Sequence, residues 1–445
     1  MRTIRLPFLA GLALAVLLPF TAVTETAAAS SAAAAPLRPL TSRQVAHRLT
    51  GEVYGFLPYW LETSKTAGSL RYNLLTTVAF FDVGLNSNGS VNHGTAGYSA
   101  LMSAPATAVI RAAHAAGVRV DLTLASFGFA QNRAFLRSRT AQRRAIGQIV
   151  ALMAARGLDG VAVDLESVYR RDLPDLSRFV DALGRAVRAH DRIGRVSVAV
   201  GASQAGAAMA AAALAGHADR VLIMGYDYRS GLSATTGSTD PLVRRGGGMS
   251  LSWTLDLYKA ARLPMNRMVL VLPYYGMSWP TTSARPGSAP ARAAYGMAPA
   301  YPIRVSRVQV PRGAKQGYDP VEASAWVAVY DAQHHVWRQT YYDSPQALAT
   351  KYAFARSRGL AGVGIWALGY DAGSAANWQA LAKAFQPPPP AKPKPAPKPA
   401  PKRVHKPVHR VAKHHPNPKP KPKPKPSVIS HKPAAPARPH RPTAV

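Results

Sequence analysis

Between residues 51 and 385, short apolar runs alternate with longer Ala-rich stretches whose apolar positions recur at helical spacing. Eight runs read as strands: 53–57, 75–81, 118–124, 161–165, 196–200, 221–224, 268–272 and 362–366. Most intervals, about 25 to 48 residues, leave room for a helical crossover. Helix boundaries are marked. Ser344-Pro345 is an N-cap followed by proline at the first helical position, and Gly359 stops the same helix. The stretch 140–156 is rich in Ala, Gln and Arg, ends at Gly157 and feeds directly into the run at 159. Eight such units in series predict an α/β fold, an eight-stranded parallel (β/α) TIM barrel, in preference to an open sheet. The span of 335 residues exceeds the roughly 250 typical of such a barrel. The excess falls between the seventh and eighth runs, at 280–342. There 326–330 and 335–340 alternate like the two arms of an antiparallel hairpin, predicting a small α+β insertion that walls a groove.

The fourth run carries the chemistry. In Asp159-Gly-Val-Ala-Val-Asp-Leu-Glu166, one parity (Val161, Val163, Leu165) is wholly apolar, as a strand needs when that face packs on helices. The other parity begins with Gly160 and Ala162 and ends with Asp164 and Glu166. Those two residues are separated by roughly 6.6–7 Å along one face. Parallel barrels place active sites at this end of their strands. Two poorly solvated neighbouring carboxyls cannot both ionise cheaply, so one retains a proton and is available as a general acid. The residues alone also fit a solvated strand end or an Asp capping the next helix. The Asp-Gly before them, the apolar face and the surrounding units favour the chemical reading.

Composition narrows the setting. The chain has 445 residues, no cysteine and a formal charge of +34. Residues 1–35 read as a secretory signal, with Arg2 and Arg5, an apolar run from 6 to 23 and an Ala-rich stretch after it. No transmembrane segment is expected after its cleavage, and the expectation is a secreted or extracellular location, either free or associated with the cell wall. Without disulfides, stability must come from a large core, which the length allows. Residues 386–445 hold 20 of the 38 prolines, 15 Lys or Arg, six His and no Asp or Glu. Such a segment reads as a disordered basic tail with polyproline character, serving as spacer and as a tether to an anionic cell-wall polymer. No aromatic residue interleaves with its charges, which argues against nucleic acid. Its histidines specify no metal geometry, and no Gly-rich phosphate loop follows any strand. No cofactor and no metal are expected. Residues 36–50 read as a linker or packing arm, and a monomer is expected.

At this point the motifs resemble the family-18 glycoside hydrolases: chitinases, endo-N-acetylglucosaminidases and a bacterial wall and spore-cortex lytic branch. The resemblance covers 51–385. Gly55-Phe-Leu-Pro-Tyr-Trp60 is similar to the first-strand pattern, and Ala125-Ser-Phe-Gly128 to a degenerate third-strand Ser-x-Gly-Gly. Asp159 to Glu166 resembles Asp-Gly-x-Asp-x-Asp-x-Glu at all but one fixed position. Met224-Gly-Tyr-Asp227, Pro273-Tyr-Tyr-Gly276 and Gly364-Ile-Trp366 resemble the sixth, seventh and eighth strand signatures.

The resemblance implies a retaining, substrate-assisted hydrolase of glycans with N-acetylated sugars, peptidoglycan or chitin-type, in which the substrate's acetamido oxygen is the nucleophile. It implies Glu166 as acid and then base, Asp164 as the acetamido N–H acceptor and Tyr226 as the group orienting the acetamido oxygen. Asp227 and Met224 would lie against the sugar, and Trp366 would floor it. Trp60, Tyr59, Tyr274 and Trp279 are candidates for lining the sugar groove. The departure at Ala162, where the family has Asp or Asn, removes a side chain that supports Asp164. The expectation is an activity that survives but is slower or has a shifted pH profile. A catalytically silent carbohydrate-binding barrel is the alternative, opposed by the presence of Glu166.

Overall fold

The computed structural model describes residues 36–46, 48–291 and 300–388. The readings of a signal at 1–35 and of a basic tail lie outside these residues, apart from 386–388. Strand β1 (Glu52–Pro58) is followed by β2 (Thr77–Gly84), β3 (Arg119–Phe127), β4 (Gly160–Glu166), β5 (Arg195–Gly201), β6 (Arg220–Met224) and β7 (Met268–Pro273). An insertion carries β8 (Tyr275–Thr281), β9 (Tyr301–Arg304), β10 (Lys315–Asp319), β11 (Ser324–Asp331) and β12 (Val336–Tyr342), and β13 (Gly362–Trp366) follows it. Strands β1 to β7 and β13 form a closed barrel of parallel strands in sequence order. All eight sequence-predicted runs are barrel strands.

The period-two pattern explains the two packed layers. One parity (Val53, Leu57, Val120, Leu122, Val161, Val163) packs outward on the helices. The other (Tyr54, Phe56, Ala79, Ala162, Ala199, Leu222, Val269, Val271) fills the barrel. Helix punctuation follows the local chemistry: Ser344 Oγ accepts from Ala347 N at the start of the helix Pro345–Ser357. The helix Arg139–Arg156 ends at Gly157, whose φ of +63° only glycine adopts without strain.

The base of the barrel is polar and bears on stability. Glu52 pairs with Arg195 (3.0 Å) and Arg220 (2.6 Å). Asp159 accepts from Leu40 N (2.6 Å) and Val120 N (2.7 Å) and contacts His114 Nε2 at 2.8 Å. Leu40 is buried, so this part of 36–50 is a packing arm.

The insertion is a five-stranded antiparallel sheet in the order β10-β11-β12-β8-β9. It begins at Tyr275. Its one helical element among the described residues is the 3-10 turn Val305–Arg307. Two buried ionic contacts anchor it: Arg229 pairs bidentately with Glu322 (2.7 and 2.8 Å), and Lys351 bridges Asp240 (2.7 Å) and Asp343 (2.6 Å). No helix among the described residues is long and apolar enough to cross a membrane.

Candidate active site

Strand β4 lies between β3 and β5, and Glu166 ends it in register with Phe127 of β3. The two strand ends are tied together from below. Asn132, fully buried in the first turn of the helix Phe129–Arg137, donates its amide to the carbonyl oxygens of Glu166 and Ser126. The backbone of Glu166 is therefore held both by its pairing with β3 and by a buried amide.

A cavity of about 350 Å³ opens at this end of the barrel. Asp164, Glu166, Met224, Tyr226, Asp227 and Trp366 line it, together with Phe81, Gly201, Ala202 and Tyr275. A larger depression of about 590 Å³ runs along β9, but it is lined without a single carboxyl. The aromatic floor is built by ring contacts: Trp366 lies 4.6 Å from Phe81 at 86° and 5.7 Å from Phe56. Tyr226 lies 6.0 Å from Tyr275. Tyr275 OH donates to Asp227 Oδ1 at 2.5 Å, and Thr239 Oγ1 donates to the same oxygen at 3.3 Å. Asp227 sits at φ +60°, a conformation that Asp tolerates better than most residues.

The carboxyls differ in environment. Asp164 is 5% exposed, and its Oδ1 has no hydrogen-bond partner among the described residues. Burial raises its pKa to about 8, with smaller contributions from the charges of Glu166 and Asp82. Ala162 lies directly inward of it, wholly buried against Leu222, Val269 and other apolar side chains, so nothing from below donates to Asp164. Glu166 is raised by desolvation and then by Asp227. Asp227 is raised by burial, opposed by the Tyr275 and Thr239 hydrogen bonds. Both carboxyls open onto the cavity, where solvent screens their repulsion. Burial also holds Tyr226 far above its ordinary range, so it is a neutral hydroxyl donor. Among the described residues no group of three or more His, Cys, Asp or Glu is placed to hold a metal ion.

Six of the ten candidate residues converge here: Glu166, Asp164, Tyr226, Asp227, Met224 and Trp366. Trp60, 39% exposed on the turn Tyr59–Leu61, touches the site through Phe81 at 6.3 Å without lining the cavity, and Tyr59 packs on Trp60 at 4.8 Å. Tyr274 is a correction. It is 2% exposed, and its hydroxyl bonds Tyr352 OH at 2.8 Å behind the barrel wall. Successive side chains alternate faces, so its neighbour Tyr275 takes the place in the cavity. Trp279 is likewise core, fully buried in the insertion with its indole N–H on Ser230 O at 3.1 Å. Sequence reasoning also missed Phe81, Asp82 and Asn132. The apolar run of β2 reached Phe81, but the shift in its pairing with β3 between Phe80 and Val83 is not written in any local pattern.

Comparison with known proteins places this geometry in context. The family described as glycosyl hydrolases family 18 matches residues 53–371. A class V chitinase of Arabidopsis thaliana is 32% identical over 171 residues, 36% of this chain and 42% of that protein. The chain spans 34–42% of the lengths of the curated relatives it matches. A Cycas revoluta family-18 chitinase, solved in complex with (GlcNAc)3, superposes with a TM-score of 0.62 at 20% identity, covering 75% of this chain and 99% of that one. The spore cortex-lytic enzyme SleL of Bacillus megaterium superposes with a TM-score of 0.59 at 16% identity, covering 76% of this chain and 74% of that one.

Proposed function

The chain belongs to the glycosyl hydrolases of family 18, and from that premise we propose that it is a retaining hydrolase of glycans containing N-acetylglucosamine. One observation carries the reading: Glu166 stands at the mouth of the cavity beside a buried Asp164 whose Oδ1 has no donor among the described residues. With the Asp164 carboxyl raised to about 8, the pair keeps at least one proton at neutral pH.

A substrate acetamido N–H set against the Asp164 carboxyl, which lines the cavity, supplies a donor to it. It favours charge on Asp164 and leaves the proton with Glu166. Glu166 then protonates the glycosidic oxygen while the acetamido oxygen attacks the anomeric carbon, forming an oxazolinium ring. Tyr226, a neutral hydroxyl at the cavity wall, orients that oxygen. Trp366 supports the apolar face of the sugar, and Met224 and Asp227 bound the pocket. Water activated by the Glu166 carboxylate opens the ring with net retention.

The test is turnover of N-acetylglucosamine oligomers by wild type and Glu166→Gln, with the anomer of the first product read by NMR. Loss of about 10²- to 10⁴-fold in the variant is expected, with retained configuration. Inversion, or undiminished turnover by Glu166→Gln, rejects the mechanism. Binding without cleavage by the wild type supports the silent carbohydrate-binding alternative.

Export and retention at a cell wall belong to the same proposal. They rest on the composition of 1–35 and 386–445 and are checked by fractionating cultures and assaying the wall and medium.

A further inference from the structure

Where β3 and β4 end beside Glu166, the rim exposes three aromatic side chains: Phe127 (53%), paired in register with Glu166, Phe129 (47%) and Tyr169 (37%). Phe129 and Tyr169 lie 4.5 Å apart with rings inclined at 32°, and the Arg171 guanidinium sits 4.7 Å from the centre of the Tyr169 ring. Arg170 and Arg171 are exposed, and neither has a carboxylate partner among the described residues. The neighbouring acid is already engaged: buried Asp172 takes Arg133 at 3.2 Å. That pair also anchors the turn Arg170–Asp172, so the two arginines stand on a fixed element.

An exposed aromatic pair packs well on the C–H face of a pyranose. A guanidinium stacked on one of those rings keeps its N–H edge free for a bidentate contact with a carboxylate. A neutral homopolymer of N-acetylglucosamine offers that edge only hydroxyl and amide oxygens, not a charged bidentate acceptor. The chain is basic outside its two ends as well: residues 36–388 contain 38 Lys or Arg against 20 Asp or Glu, which favours encounter with a polyanion.

We propose that Phe129, Tyr169, Arg170 and Arg171 form a subsite for the sugar next to the scissile bond, and that this sugar carries a carboxylate. The substrate class is then an N-acetylated glycan with acidic substituents, such as a wall glycan bearing lactyl ether or peptide carboxylates, rather than chitin. This assignment rests on the hydrolase reading only for the position of the scissile bond at Glu166.

The test measures binding in the full chain carrying Glu166→Gln, so that no ligand is consumed and the basic tail is common to all variants. The ligands are a neutral N-acetylglucosamine tetramer, a tetramer with free lactyl carboxylates on alternate sugars, and one whose lactyl groups are amidated by a peptide with a free carboxylate. Arg170→Gln/Arg171→Gln is expected to lower the ratio of acidic to neutral affinity by about tenfold. The acidic ligand that shows the drop identifies the carboxylate. Tyr169→Ala is expected to weaken all three ligands. An unchanged ratio in the arginine variant, or unchanged binding in Tyr169→Ala, overturns the subsite. Failure of the wild type to hydrolyse any of the three, with the ratio still falling, would reject the hydrolase reading and leave the subsite standing.

Discussion

At Asp164 a carboxyl is held between Glu166 and Asp82 with one oxygen unsatisfied. Its raised pKa means that it is protonated below about pH 8 and charged above. Activity should therefore persist to about pH 8 and fall on the alkaline side, as the pair loses its last proton. In Asp164→Asn that alkaline limb should move to lower pH, because the remaining acid, Glu166, is the less buried of the two; pH–rate profiles of kcat/KM check it. Ala162→Asn tests the departure from the family pattern in the opposite sense. An amide donor below Asp164 should stabilise its charged form and also bring the limb down, at a packing cost of about 1–3 kcal/mol in a filled interior. A limb that stays in place in Ala162→Asn would show that Ala162 has no part in setting the proton affinity.

At the scale of elements, the cavity depends on contacts between segments far apart in sequence. Asn132 joins β3 to β4 under Glu166. Asn132→Ala leaves a buried carbonyl without its donor, so a loss of about 1–3 kcal/mol in stability is expected. Displacement of Glu166 by a fraction of an ångström to an ångström should lower kcat by up to about 100-fold with little change in KM. The loop after β6 is held similarly. Thr239 bonds both Asp227 Oδ1 and the Arg229 carbonyl, and Arg229 is clamped by Glu322 of the insertion. Arg229→Ala strands a buried carboxylate and should destabilise by about 3–5 kcal/mol, measured by denaturant unfolding. The insertion thus fixes one wall of the site through a buried ion pair. Its hairpin of β11 and β12 was legible in the sequence, whereas β8, β9 and β10 were not. The partner of Glu322, 93 residues earlier, was not, because nothing local to either residue specifies which distant charge it meets.

Across the whole molecule, Glu62 (raised to about 8), Asp121 (to about 7) and Asp164 (to about 8) are carboxyls whose burial raises their pKa. Each binds its proton more tightly in the folded than in the unfolded state. Their contribution is fully present below the ordinary carboxylate range, near pH 4, and is lost as pH rises through 7 to 8. Tm should fall between pH 5 and pH 9, and Glu62→Gln should flatten that slope; a Tm that rises over this range contradicts the assignment. Removal of 387–445 is expected to abolish salt-sensitive retention on an anionic wall polymer while leaving turnover of soluble oligomers within about twofold, since exposed charges act only over about 8–10 Å at physiological salt. By itself the chain of residues determined the eight strands, the helix limits at Ser344, Gly157 and Gly359, and the pairing of Asp164 with Glu166 on one strand face. These follow from a period of two, from capping and from glycine's backbone freedom, all of which act over a few residues. Tertiary structure decided that Tyr275 rather than Tyr274 meets Asp227, that Trp279 is core and that Asp164 Oδ1 has no donor among the described residues. It also placed Phe129 and Tyr169 side by side just beyond the ends of β3 and β4. Those outcomes depend on strand register, barrel closure and the exclusion of water, which exist only when residues remote in sequence pack together.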